Sequence, residues 1–183
     1  MKLFLSTQVF FLLCTASAYQ SSSRRAFVQN VALATSSAAF AKDAVAIDSC
    51  PKGSNNCIRT TWTPPAGSSQ ADASKTILDA LESYPQEGQS DVDKGGWTFV
   101  QEDLSGSGVA SVEFKSGIGN FAKFFNGGKP FVDDLKVELA EGKFEVRSSS
   151  RIGDSDLGVN QKRLNFLAAA LRSKGWEIPI PNY

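Results

Sequence analysis

The residues best suited to chemistry form a short run of arginine and serine between positions 147 and 151. Because successive side chains of a strand point to opposite faces, Arg147 and Arg151 would share one face, and Ser148 and Ser150 the other. Paired arginines can bind the oxygens of a carboxylate or a phosphate. The spacing therefore indicates either an anion-binding site or ion pairs made within a sheet.

Residues before and after this run could complete the cluster. Asp133 would point to the apolar side with Leu135, where an unpaired charge is costly, whereas Asp134 would point away and could pair with Arg147 or Arg151. One interpretation is a buried polar network that locks the last helix to the sheet. The other is a pocket for a polar or anionic ligand at the start of that helix. The candidate ligand-binding residues are Asp133, Asp134, Arg147, Ser148, Ser150, Arg151, Asn160 and Arg163.

The missing residue types exclude several classes of enzyme. The chain has no histidine, and its one methionine is Met1. Ser-His-Asp and Cys-His hydrolases are therefore excluded, and no usual zinc, copper or haem site can be built. We expect no metal, no cofactor and a binding role in place of catalysis. If the protein is an enzyme, Asp133, Asp134 and Asp156 are the available acids.

A calcium loop is the remaining metal hypothesis. Asp154 and Asp156 are followed by Asn160, but Gly158 falls at the fifth place of the motif, which needs glycine at the sixth and a glutamate at its end. We therefore interpret Ser155 or Asp156 as the cap of the following helix.

The hydrophobic pattern around these residues predicts an α+β domain. Apolar residues at helical spacing predict a helix over 74–84 and a final helix around 164–171. Residues 60–70, which contain two prolines and a glycine, are expected to be an extended connector. The order α-β-β-β-β-α favours a four-stranded antiparallel meander with both helices packed on one face. The predicted strands span 97–101, 109–114, 131–139 and 143–152.

The first 46 residues have the pattern of a two-stage targeting sequence. Residues 1–18 have a short basic start, an apolar stretch and a small-residue cleavage site, and they predict a secretory signal peptide. Residues 19–46 contain a hydroxyl-rich transit segment, a twin-arginine motif around Arg24 and Arg25, and a second cleavage site. The order resembles that of plastid precursors in diatoms and related algae, and it implies delivery to the thylakoid lumen. A mitochondrial or simple secretory leader is the alternative.

The predicted mature domain, residues 47–183, begins with two cysteines. The short, turn-rich spacing between Cys50 and Cys57 suits a structural disulfide, with a redox-active pair as the alternative. Residues 1–46 hold four basic side chains and one acidic side chain, so the remainder carries a formal charge of −3. That sign disfavours nucleic-acid binding. No stretch of this domain is long and apolar enough to predict a membrane span.

A glycine-bracketed segment, residues 116–130, carries three phenylalanines, Phe121, Phe124 and Phe125. They could form a lid over the open face of the sheet. Alternatively, exposed aromatic side chains could dock on a membrane or on a membrane-protein complex.

Two motifs resemble a known family. The run from Val146 to Arg163, with its Arg-Ser-Ser-Ser-Arg-Ile-Gly core, together with Cys50-Pro51 and Asn56-Cys57, is similar to the family named domain of unknown function 1499 over residues 49–173. The resemblance, to a plastid branch, implies a fold but no activity. Our leading hypothesis is a non-catalytic lumen protein that docks on a photosynthetic membrane complex or on the thylakoid membrane through the Phe segment. The alternative is a module that binds a small anionic or lipid ligand at Arg147, Arg151 and Asp134.

Overall fold

The computed structural model describes residues 47–117, 124 and 126–183. The α+β class predicted from the sequence is confirmed. The predicted leader segments, 1–18 and 19–46, lie outside the described residues. In chain order, the described elements are β1 Cys57–Trp62, α1 Gln70–Glu82, β2 Trp97–Asp103, β3 Val109–Lys115, β4 Val132–Ala140, β5 Lys143–Ser150 and α2 Val159–Arg172.

The sheet has five antiparallel strands in the described part of the chain, in the order β1-β5-β4-β3-β2. The prediction of four strands was wrong by one, because β1 lies in a segment that was assigned partly to a connector. Ile58 and Trp62 alternate inward as strand residues should, and β1 pairs with β5 from Cys57 opposite Ser149 to Trp62 opposite Phe144. That pairing joins residues far apart in the chain, so no local turn signal announces it.

Local sequence signals explain how the other elements begin and end. Ser69 caps helix α1, because its hydroxyl accepts a hydrogen bond from the Asp72 N–H, and Pro85 follows the end of the helix. The β4–β5 turn has positive φ at both Glu141 (50°) and Gly142 (78°), as a two-residue type I′ hairpin requires. None of the helices in the described residues is long and apolar enough to cross a membrane.

The described residues form one hydrophobic core, which lies between one face of the sheet and the helices α1 and α2. Alternate residues of each strand point into it, and the apolar stripes of the helices cover them. Trp176, in the segment after α2, packs against Phe144 with ring centroids 5.6 Å apart. The members of this core that are at most 2% exposed are Ile58, Trp62, Ile77, Leu81, Tyr84, Leu104, Ala110, Val112, Phe114, Leu135, Val137, Phe144, Val146, Leu164, Leu167, Ala168 and Leu171.

A disulfide joins Cys50 to Cys57, as the spacing indicated. Cys57 is the first residue of β1 and is buried. Closing so short a loop stabilises the fold by about 2–3 kcal/mol in the chain-entropy model. Cys50 is partly exposed, but the pair lacks the Cys-x-x-Cys spacing typical of redox-active cysteines, which favours the structural role.

Candidate functional site

Arg163 is the centre of a polar network inside the core. The residue is fully buried, and each of its five N–H donors has an acceptor. Nε and one Nη2 N–H bond the two carboxylate oxygens of Asp93, and the other Nη2 N–H bonds Asp133 Oδ2 at 2.6 Å. Nη1 bonds Ser148 Oγ at 3.0 Å and Asn160 Oδ1 at 2.7 Å. Arg163 therefore has no donor left for an added ligand.

The network holds one positive and two negative charges. Burial by itself lowers the pKa of Arg163, but its bonds to Asp93 and Asp133 outweigh this and raise the pKa, so the side chain stays charged. The guanidinium also lies 4.3 Å from the ring centroid of Phe114, which adds a cation–π contact. Asp133 is the outer of the two carboxylates, because its side chain is 12% exposed against 1% for Asp93.

Asp93 and Tyr84 also belong to this network, and neither was predicted from the sequence as a site residue. Asp93 is 3% exposed and lies at positive φ (58°) after a short turn, and Tyr84 Oη donates a hydrogen bond to its Oδ2 at 2.7 Å. A buried tyrosine hydroxyl needs a hydrogen-bond partner. Tyr84, at the end of the apolar pattern of the predicted helix, was therefore the one sequence signal for a polar partner in this core. No local pattern links residue 93 to residue 163.

The N-terminus of α2 is occupied by a carboxylate of the chain itself. The N-cap residue is Gly158, not Ser155 or Asp156 as predicted, but Asp156 accepts hydrogen bonds from the N–H groups of Gly158 and Asn160, at 2.9 and 2.8 Å. It also accepts from the Asn160 side chain at 2.6 Å and from the Tyr183 hydroxyl. The described ranges contain no group of three or more His, Cys, Asp or Glu side chains placed to hold a metal ion. An added anion would have to displace Asp156 from the helix end.

The sheet divides the predicted ligand-binding residues between its two faces. On the outer face, Arg151 makes a bidentate pair with Asp134 at 2.7 and 2.8 Å and also bonds Glu113. Arg147 lies on that face too, between Arg59 and Lys136 of the neighbouring strands. The other five predicted residues are brought together on the inner side: Asp133, Ser148, Ser150, Asn160 and Arg163. The alternation of side chains along a strand predicted this division. The predicted ligand site was therefore wrong to combine residues of both faces in one pocket.

A cavity of about 300 Å³ lies beside the inner group, between the start of β4, the end of β5 and the loop that leads into α2. Its walls are mainly apolar, from Phe131, Val132, Ile152, Leu157 and Val159. Its polar lining residues are Ser116, Asp133, Ser150, Ser155 and Asp156, with Gly153 between them. The cavity was not predicted from the sequence, because it forms where three separate segments meet.

Two apolar side chains stand at the mouth of the cavity. Leu157 is 86% exposed and has a left-handed backbone (φ 56°), which is an outlier for a bulky residue, and Ile152 is 50% exposed. Of the predicted docking residues, Phe124 is 78% exposed. Phe121 and Phe125 lie outside the described residues.

Alkaline pH should test the Tyr84–Asp93 bond. Burial, and then the charge of Asp93, raise the pKa of Tyr84 above its ordinary value of about 10. The stability from this shift is complete below about pH 10 and is lost as the pH rises toward the folded-state pKa. We expect Tyr84→Phe to be less stable than wild type at pH 8, by about 1 kcal/mol, and the difference to shrink by pH 11.5. Urea unfolding of both proteins across this range measures it. A constant difference would contradict the assignment, since all other titrating groups are common to both proteins.

Comparison with known proteins identifies a family. A family model described as protein of unknown function (DUF1499) matches residues 46–171. Searches of curated proteins and of solved structures returned no match. The matched range contains the buried network, the cavity and the disulfide.

Proposed function

Because the chain belongs to the family described as protein of unknown function (DUF1499), we propose its function from geometry: it is a binding module that holds a small, mainly apolar ligand in the cavity beside α2. The cavity is the observation that carries this proposal. This proposal keeps the ligand-binding hypothesis drawn from the sequence, but places the site on the inner face of the sheet and not on the outer one.

The size of the cavity limits the ligand. Ligand pockets span roughly 300–1,000 Å³, and an engineered apolar cavity of about 150 Å³ binds benzene. At about 300 Å³ the cavity suits one ring system or an alkyl chain of about eight carbons. A ligand of that kind would gain binding energy by covering the Phe131 and Val132 walls and by meeting the exposed side chains of Ile152 and Leu157.

The surroundings give the cavity rigid walls. Strands β4 and β5 are paired up to Asp133 opposite Ser150, and the Arg151 N–H bonds the Val132 carbonyl at 3.1 Å. On the other side, Asp156 fixes the first turn of α2. A preformed pocket avoids the ordering cost that a ligand would otherwise have to offset.

Amide chemical-shift mapping of the full-length chain with 1-octanol would test the proposal. We expect saturable shifts at Asp133, Ser150 and Gly153, and little change in α1, which lies outside the cavity lining. Val159→Trp should obstruct the cavity and abolish the shifts. The matched control, Val100→Trp, changes an exposed valine on β2 and should leave them intact. Saturable shifts that persist in Val159→Trp, or their absence in wild type, would contradict cavity binding.

Exposed apolar side chains support a second proposal. We infer that the protein is a thylakoid-lumen accessory protein that docks on a photosynthetic membrane complex or on the thylakoid membrane. The support is the targeting pattern of residues 1–46, the exposure of Phe124, and Leu157, whose apolar side chain is held in solvent at a backbone cost of about 1–3 kcal/mol. Thylakoids washed with salt should retain the protein, and Leu157→Ser should release it. Complete release of the wild-type protein as a free monomer would contradict docking.

A further inference from the structure

We propose that the cavity selects ligands whose polar end is a cationic ammonium group, which would bind the carboxylate of Asp133. This inference rests on the proposed binding function and names the chemical class of the ligand. It differs from the anionic ligand expected from the sequence.

Asp133 is the acceptor that the network leaves available. It lines the cavity and is 8% exposed. Its Oδ2 accepts from Arg163, whereas its Oδ1 makes no hydrogen bond within the described residues. Asp156, the other carboxylate of the lining, already accepts four hydrogen bonds, which is its capacity.

The polar groups next to Asp133 can assist a donor. Ser150, directly opposite Asp133 in the β4–β5 pairing, accepts a bond from the Asn160 side chain at 3.2 Å and keeps its other lone pair. Ser116 also lines the cavity, and its hydroxyl oxygen is buried without a hydrogen-bond partner in the described part of the chain. An ammonium group has three donors, so it can use more than one of these oxygens.

The same site disfavours an anion. Among the described residues, no lysine or arginine lines the cavity, and Arg163 has used all five of its donors. The amides at the start of α2 belong to Asp156. A carboxylate or phosphate ligand would therefore meet the carboxylate of Asp133 with no free cation to offset it, and the two like charges would repel.

Three probes that share one alkyl chain and differ in their head group show how the head group changes the affinity. Octylamine is cationic, 1-octanol neutral and octanoate anionic at pH 7. For the full-length protein, we expect calorimetric titration to rank them in that order, with octylamine at least about tenfold tighter than octanoate, since a charge-assisted bond replaces a repulsion. Equal affinity for all three, or a preference for octanoate, would overturn the inference and leave the binding function in place. No binding by any of the three would overturn both.

Two neighbouring aspartates provide the variants. Asp133→Asn should remove the preference for octylamine, while the amide oxygen of the substituted side chain can still accept from Arg163. Asp134→Asn is the matched control on the opposite face, where Asp134 pairs with Arg151, and it should keep the wild-type ranking. An unchanged ranking in Asp133→Asn would overturn the inference. If that variant does not fold, the order of the three probe affinities for the wild-type protein still tests the inference. Ser116→Ala should weaken the binding of octylamine and of 1-octanol by similar factors.

Discussion

Replacing Arg163 by methionine is expected to lower the free energy of unfolding by about 3–5 kcal/mol, the typical cost of removing one partner from a buried ion pair. Methionine fills much of the same volume, so little of this loss comes from packing. The loss arises because the carboxyl groups of Asp93 and Asp133, which are 3% and 8% exposed, would stay buried without the guanidinium that bonds them. Small domains have only about 5–15 kcal/mol of stability in total, so the effect is large.

Urea unfolding at pH 7 measures this effect, and Arg151→Met is its control. Arg151 also pairs with two carboxylates, Asp134 and Glu113, but its side chain is 45% exposed on the outer face. Exposed ion pairs contribute about 0–1 kcal/mol, so the control should change little. Equal losses in the free energy of unfolding for the two variants would contradict this prediction, because burial would then not make Arg163 contribute more than Arg151.

A triple variant separates charge from shape. Arg163→Met combined with Asp93→Asn and Asp133→Asn removes all three charges, and asparagine tolerates the positive φ of residue 93. Replacement of a whole buried ion network by hydrophobic residues is often close to neutral. The two asparagines remove the charges but keep buried polar groups, so the triple variant should recover part of the loss. This variant also remains informative if Arg163→Met alone does not fold.

The parts of this protein that were predictable from sequence depend on short-range rules. Strand alternation placed Asp133 inward and Asp134 outward, where it does pair with Arg151. The two-residue turn at Glu141 and Gly142 fixed the register of its hairpin. The hydrogen bonds of Asp156 to the start of α2 also join residues within about one helical turn. In each case, the partners lie close together in the chain or on adjacent strands of one meander.

The parts that were missed depend on contacts between distant segments. β1 pairs with β5 across more than eighty residues, and Asp93 meets Arg163 across seventy. The sequence prediction placed Arg147, Arg151 and Arg163 in one cluster, but in the structure they differ in position and in partners. Two lie on the outer face and one is enclosed, and only tertiary packing decides which carboxylates the enclosed one meets.

The enclosed network also explains how the cavity keeps its shape. Asn160 is fully buried and links three regions: its Oδ1 accepts from Ser148 and Arg163, and its Nδ2 donates to Asp156 and to the Asn56 carbonyl just before β1. The side chain of Asn160 therefore connects helix α2, strand β5 and the disulfide segment through hydrogen bonds. The cavity lies directly beside this junction, so its walls depend on it.

Asn160→Ala is accordingly expected to cost about 3 kcal/mol, because several buried donors and acceptors would lose their partners at once. The matched control is Asn165→Ala, which replaces an exposed asparagine in the same helix and should be neutral or stabilise by about 0.5 kcal/mol through helix propensity. Chemical denaturation gives both values. Hydrogen exchange of the Asn160 variant should show faster opening at the start of α2 than around Leu171, because the lost bonds all lie at that end. If the two alanine variants were equally stable, the network would not hold the helix to the sheet, and its buried polar groups would need another explanation, of which the ligand in the adjoining cavity is the nearest.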